Sequence, residues 1–154
     1  MKPFKFLNYI AFFVLLAAAS PAFSASVWEK RCEAQSCEIF QRLVSRDNQA
    51  RLLEVAIGFP AGQGAARGVV ILPLGVDLSQ PLTLAVDDKA PLGFKVRYCL
   101  MDGCYAFLTL PPDVLATMKA GALAAISFKT FDGQPGKLPL SLDGFSAALG
   151  AIQK

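Results

Sequence analysis

The chain has 154 residues, of which 54% are hydrophobic and 18% are charged, and it contains no histidine. This length predicts one domain, and the apolar fraction excludes a disordered chain, which would combine low hydrophobicity with a large net charge. The absence of histidine excludes a Ser-His-Asp triad, a Cys-His pair, a His-Glu-x-x-His zinc site and a histidine pH switch.

The first 24 residues are typical of a cleaved secretory signal peptide. Lys2 and Lys5 give a positive start, residues 10–19 are an uninterrupted apolar run, and the small residues at 22 and 24 favour cleavage after Ser24. Cleavage one residue later is the close alternative. The apolar run is shorter than the roughly 20 residues that span a bilayer, so we expect no transmembrane span in the mature protein.

The formal net charge of +3 belongs mostly to this signal segment. Without Lys2 and Lys5, 13 basic residues stand against 12 acidic ones, and no basic run resembles a phosphate-binding surface. We therefore expect no nucleic-acid partner. Residues 25–154 are expected to form a single exported domain.

Beyond the signal segment, short runs of strand length alternate with turn residues. The antiparallel all-β sandwich is the fold that this spacing favours, because no alternating helices are present to cover a parallel sheet. The run 104–110 is apolar on both faces and is the candidate central strand. The predicted strands are 27–32, 37–44, 51–57, 68–72, 82–86, 93–98, 104–110, 122–131 and 137–142.

Two short helices are predicted among the strands. Residues 112–118 begin with proline, carry apolar side chains on one side and are ended by Gly121, which predicts a helical connection between strands. The C-terminal segment can begin a helix at Asp143. Its apolar stripe of Phe145, Leu149 and Ile152 has helical spacing and predicts packing against the sandwich.

The four cysteines form two copies of one spacing, with four residues inside each pair. Cys32 and Cys37 make one pair, and Cys99 and Cys104 make the other. An exported protein lies where disulfides persist, and a four-residue hairpin loop brings its flanking Cα atoms to about 5 Å, within the range that a disulfide spans. We therefore predict that each pair forms a local disulfide.

Three alternatives use the same cysteines differently. Long-range disulfides would close loops of some 68 residues and contribute roughly 4 kcal/mol by chain entropy, against roughly 2 for a local bond, but hairpin geometry favours the local pairs. A four-cysteine zinc site usually has two-residue gaps. A thiol-redox site would have Cys-x-x-Cys at a helix start.

Other motifs do not indicate a reaction centre. The glycine-rich segment 58–68 lacks the third glycine of a dinucleotide fingerprint, and residues 144–148 lack the last glycine of a nucleophile elbow. Asp87-Asp88 fits a solvated turn, while Trp28 and Tyr105 fit core packing better than ligand stacking. We predict no catalytic, cofactor-binding or metal-binding residues.

Three blocks of sequence resemble the invasion-associated locus B family. They are a Leu-Pro-Leu-Gly segment, a Cys-Leu-x-x-Gly-Cys hairpin and a closing Leu-x-Gly-Phe segment, which occupy residues 72–76, 97–106 and 138–149. Trp28 and the first cysteine pair match as well, while Met101-Asp102 departs from the proline and small residue that relatives often have. The resemblance implies an exported bacterial domain with an immunoglobulin-like β-sandwich, and it brings no catalytic residues.

These observations favour an exported, non-enzymatic β-sandwich protein of the bacterial envelope that binds another macromolecule, in a family associated with host-cell invasion. The expected partner is an unknown protein or envelope macromolecule. The alternative is an envelope enzyme or thiol-redox protein that uses carboxylates or cysteines.

Overall fold

The computed structural model describes residues 28–34, 36–60 and 64–153, so the predicted signal peptide lies outside the described residues. Ten strands and two helices are present there. In chain order they are β1 (Glu29–Glu33), β2 (Ser36–Val44), β3 (Arg51–Gly58), β4 (Ala66–Leu72), β5 (Leu82–Val86), β6 (Leu92–Phe94), β7 (Val96–Leu100), β8 (Gly103–Leu110), α1 (Pro112–Ala120), β9 (Leu123–Lys129), β10 (Pro135–Ser141) and α2 (Phe145–Gly150).

The strands form two sheets that enclose one core. A six-stranded sheet has the order β1-β2-β3-β4-β8-β7, and a four-stranded sheet has the order β10-β9-β5-β6. Neighbouring strands of the described chain are antiparallel throughout. The predicted all-β sandwich is confirmed, and eight of the nine predicted strands have ends within two residues of those observed.

The predicted single strand 93–98 is wrong, because the chain changes sheets within it. β6 pairs with β5 in the four-stranded sheet, and after Lys95 the chain enters the six-stranded sheet as β7. A register shift between Val96 and Tyr98 adds a residue and reverses which face the following side chains occupy. Phe94 is therefore buried, whereas Tyr98 is 43% exposed.

A buried glutamine connects the two sheets. Gln41 on β2 is 5% exposed, and its Nε2 donates to the Ser141 carbonyl at 3.0 Å while its Oε1 accepts from the Ser141 N–H at 3.0 Å. The Trp28 indole N–H donates to the same carbonyl at 2.8 Å. These bonds satisfy the N–H and the carbonyl of Ser141, on the unpaired side of the edge strand β10, and they fix the position of β10 against β2.

The helices close the core at its margins. α1 connects β8 of one sheet to β9 of the other, and the Gly121 N–H caps it by donating to the Thr117 carbonyl, although Gly121 is extended and not left-handed. α2 begins at Phe145, two residues later than predicted. The predicted stripe is confirmed, since Phe145, Leu149 and Ile152 are all buried.

Candidate functional site

The six-stranded sheet has a surface that points away from the four-stranded sheet, and we call it the outer face. Three rows of residues cross this face in strand register. Two rows run from β1 to β8, and they are Arg31, Glu38, Gly58, Arg67, Thr109 and Glu29, Phe40, Ala56, Val69, Phe107. The third row runs from β2 to β7, and it is Arg42, Glu54, Ile71, Tyr105, Tyr98. Side chains alternate between faces along a strand, so the residues between these rows line the core.

Three aromatic residues stand together on β7 and β8, and we call them the aromatic ladder. The rings of Tyr98 and Tyr105 are stacked with centroids 5.2 Å apart, and Tyr98 lies 6.0 Å from Phe107. Phe107 is 44% exposed. As predicted, β8 lies inside the sheet, between β4 and β7, but only one of its two apolar faces is buried, and the face that carries Tyr105 and Phe107 lies at the surface. Tyr105 likewise belongs to the surface and not to the core.

Beside the ladder, a buried carboxylate is surrounded by arginines. Glu54 is 3% exposed, and its oxygens lie 2.7 Å from Arg42, 3.6 Å from Arg31 and 3.8 Å from Arg51. Arg31 also donates from Nε to Glu38 at 2.8 Å, and this bond raises the pKa of the Arg31 guanidinium. The guanidinium groups of Arg31 and Arg42 lie over the ring of Phe40, which adds cation–π attraction.

Asp102 extends this network to the tip of the β7–β8 hairpin. Its carboxylate accepts from the Tyr105 hydroxyl at 2.6 Å and from Arg51 at 3.2 Å. The hydrogen bond from Tyr105, followed by that from Arg51, holds the pKa of the Asp102 carboxyl below its usual value, and the same bond raises the pKa of Tyr105. The ladder is therefore oriented by a charged residue of the hairpin turn.

A groove of about 560 Å³ crosses the outer face over the C-terminal end of β3, and we call it the central groove. Its floor is Ala56 and Gly58, which have little or no side chain, while the neighbouring strands raise Phe107, Arg67 and Arg31 around it. The volume falls within the range of pockets that bind ligands. The arrangement offers an apolar floor with charged groups at the margin.

Both cysteine pairs close hairpins at the ends of the six-stranded sheet. The structure bonds Cys32 to Cys37 and Cys99 to Cys104, the local pairing that the spacing predicts. The second hairpin packs on the end of β4, where a Cβ added to Gly103 would lie 2.5 Å from the Leu72 carbonyl oxygen. Glycine is required there by this close approach.

The structure separates the other residues that the sequence singles out. The Asp87 carboxylate accepts hydrogen bonds from the backbone N–H groups of Ala122 and Leu123, at the start of β9. Asp87 therefore has a structural role and is not one of a pair of catalytic carboxylates. Trp28 packs in the core, as expected. Only Tyr105 and the flanks of the glycine-rich segment lie on the outer face.

Neither Glu54 nor Gln41 is predicted from the sequence, because a single polar residue in an apolar strand does not reveal its partners.

Within residues 28–34, 36–60 and 64–153, no cluster of three or more metal-binding side chains occurs. In the same part of the chain no helix is both long and apolar enough to cross a bilayer.

Known proteins resemble this chain along nearly all of its length. It is 29% identical to an Invasion protein B homolog of Brucella abortus (strain 2308), over 99% of this chain and 98% of that protein. It is 28% identical to Invasion protein B of Bartonella bacilliformis, over 86% of this chain and 74% of that protein.

A solved structure has the same fold. The crystal structure of invasion associated protein B from Bartonella henselae superposes with a TM-score of 0.75 at 24% identity, covering 84% of this chain and 93% of that one. The family model described as invasion associated locus B (IalB) protein matches residues 28–153, and the chain therefore belongs to the invasion associated locus B family.

Proposed function

We propose that this chain is an exported, non-enzymatic protein of the bacterial envelope that binds a partner protein through the outer face of its six-stranded sheet. Residues 1–24 direct export and are removed, and residues 25–154 act as one binding domain in the periplasm or at the cell surface. The proposal rests on the aromatic ladder, which exposes Tyr98 and Phe107 beside an apolar groove. Protein interfaces are enriched in aromatic residues and arginine in this way.

The same site gives less support to an envelope enzyme or a thiol-redox protein. All four cysteines are bonded in pairs, and the buried carboxylate of Glu54 faces arginines on three sides. These ion pairs occupy the carboxylate, and its burial leaves little of it open to a substrate. The relatives in Brucella and Bartonella are named for invasion, whereas a binding role in the envelope requires no host cell.

Site-specific photocrosslinking in living bacteria tests this proposal. A benzophenone amino acid at Thr109, on the outer face, is expected to capture one discrete partner band. The same group at Lys137, an exposed position on β10, is the matched control and is expected to capture none. Capture from Lys137 alone, or equal capture from both positions, would contradict the outer face as the binding surface.

A further inference from the structure

The central groove lies where the outer face lacks side-chain bulk. Ala56 and Gly58 are the outward residues of β3, and they are flanked in register by Phe40 and Glu38 on β2 and by Val69 and Arg67 on β4. A side chain bound in the groove would lie over Ala56 and Gly58, with Val69 on β4 and Phe107 on β8 to one side of it. These neighbours favour an apolar group on the groove floor.

Two arginines line the groove, and they differ in whether they are free to bind a ligand. Arg31 is held by Glu38 and Glu54. Arg67, by contrast, forms no ion pair or side-chain hydrogen bond with any other residue that the structure describes, and it is exposed. A guanidinium group matches a carboxylate in bidentate geometry better than any other side chain does. The free guanidinium of the groove is thus suited to a carboxylate, with which it can form two parallel hydrogen bonds.

The far margin of the groove carries the opposite charge. Glu33, at the end of β1, also has no ion pair within the described chain, and it lines the groove three strands away from Arg67. Strands lie about 4.8 Å apart, and Glu33 stands two residues along β1 from the row that contains Arg67, so roughly 16 Å separate the two residues. A uniformly acidic segment is disfavoured by Glu33, and about five extended residues, at about 3.3 Å each, span the distance.

Resting on the proposed function, we propose that the central groove binds an extended polypeptide segment of the partner, with a single carboxylate on Arg67 and an adjacent apolar side chain over Ala56 against Phe107. The occupant is a polypeptide because Glu33 and Arg67 carry opposite charges at two separated points of one groove, and an extended segment can contact both. A small carboxylate would occupy only the Arg67 end.

Peptide selection followed by a double-mutant cycle tests this inference. Phage displaying random 12-residue peptides are selected on the purified protein, and the most enriched peptide is synthesised with blocked ends. We expect one Asp or Glu beside an apolar residue, and at least a tenfold higher Kd after Arg67→Gln, after Ala56→Phe, or after amidation of the peptide's acidic residue. In the Arg67→Gln protein, amidation is expected to change the Kd less than twofold.

The control is Arg97→Gln, which removes an exposed arginine of β7 outside the groove and is expected to change the Kd less than twofold. Failure to enrich any peptide, or a peptide that binds the Arg67→Gln protein unchanged, would overturn the inference. Displacement of the peptide by N-acetylphenylalanine at an equal concentration would show a small-carboxylate site instead. A dimer in light scattering that Arg67→Gln dissociates would show that a second copy is the occupant.

The crosslinking and peptide experiments distinguish a failure of the proposed function from a failure of the peptide-binding proposal. If the crosslink from Thr109 forms in bacteria and persists after Arg67→Gln, the outer face binds a partner but not by the carboxylate. If no crosslink forms from Thr109 although the peptide binds as expected, the groove accepts polypeptides and the envelope role is wrong.

Discussion

The indole of Trp28 meets the ring of Phe145 edge to face, with centroids 5.1 Å apart and an angle of 63° between the planes. This contact joins the residue just before β1 to the first residue of α2. Trp28 also donates to the carbonyl of Ser141, at the end of β10. The beginning and the end of the described chain are therefore packed against each other, beside the core face of β2.

Phe145→Ala is expected to lower the free energy of unfolding by about 3–5 kcal/mol, because it removes a fully buried ring and leaves Trp28 without its aromatic neighbour. The change is measured as the shift in the midpoint of urea unfolding at an unchanged dependence of the free energy on urea concentration. The matched control is Phe131→Ala, since Phe131 is 82% exposed and its loss should cost under about 0.5 kcal/mol. Equal midpoints for the two variants would show that Phe145 does not anchor the C-terminal segment.

Gln41→Ala tests the connection between the two sheets. It leaves the N–H and carbonyl of Ser141 without their side-chain partner, and we expect a loss of about 1–3 kcal/mol in the free energy of unfolding. Gln80→Ala, at an exposed turn, is the control and should fall within about 0.5 kcal/mol of the unsubstituted protein. A similarly small effect at Gln41 would mean that water replaces its two bonds without cost.

Period-two alternation locates the strands well, because it follows directly from one-sided burial of a sheet. Residues 82–86 are predicted to the residue for this reason. The sequence alternation in 51–57 also locates β3 to within one residue, although Glu54 and Ala56 on its outer face are buried as well. The alternation in 93–98 is equally clear, yet it conceals the change of sheet at Lys95, since a local pattern records which side chains are apolar and not which sheet receives them.

The candidate site is harder to foresee than the fold. The role of Tyr105 depends on its register opposite Tyr98, which a one-residue bulge decides. Glu54 and its arginines come from three strands and meet only when β1, β2 and β3 pair. The cysteine pairing is more accessible from sequence, because each bond closes a short local loop and needs no long-range information.

Peptide mapping of the oxidised protein tests the disulfides. We expect no free thiol, and fragments in which Cys32 remains joined to Cys37 and Cys99 to Cys104. Replacing Cys99 and Cys104 together by serine should cost roughly 2 kcal/mol, as expected for a six-residue loop. Recovery of a fragment that links residue 32 or 37 to residue 99 or 104 would refute the local pairing.

Stability should depend on pH through Asp102. Its pKa is lowered in the folded state, so its stabilising contribution is present above the unfolded value of about 4 and is lost as the pH falls through the folded value. Unfolding midpoints of the unsubstituted and Asp102→Asn proteins should therefore differ at pH 7 and converge below about pH 4. Tyr105→Phe removes the main hydrogen-bond donor and should weaken the same pH dependence. A difference that stays constant across this range would contradict the described hydrogen bonds.

The proposed removal of the signal segment on export predicts the residue at which the mature chain begins. The intact mass of protein purified from the bacteria that express it should correspond to a chain that begins at Ala25 or Ser26, because small residues precede both positions. A mass that still includes Phe12 and Phe13 would contradict cleavage of the signal segment.

Hydroxyl-radical footprinting of the unsubstituted protein, in intact bacteria and after purification, tests the binding surface most directly. We expect Tyr98 and Phe107 to be modified several-fold less in the intact envelope than in the purified protein, because a partner covers the outer face there. Phe131, which is exposed but belongs to a loop outside that face, should be modified equally in both. Equal modification of Tyr98 and Phe107 in the two states would contradict a binding role for the outer face.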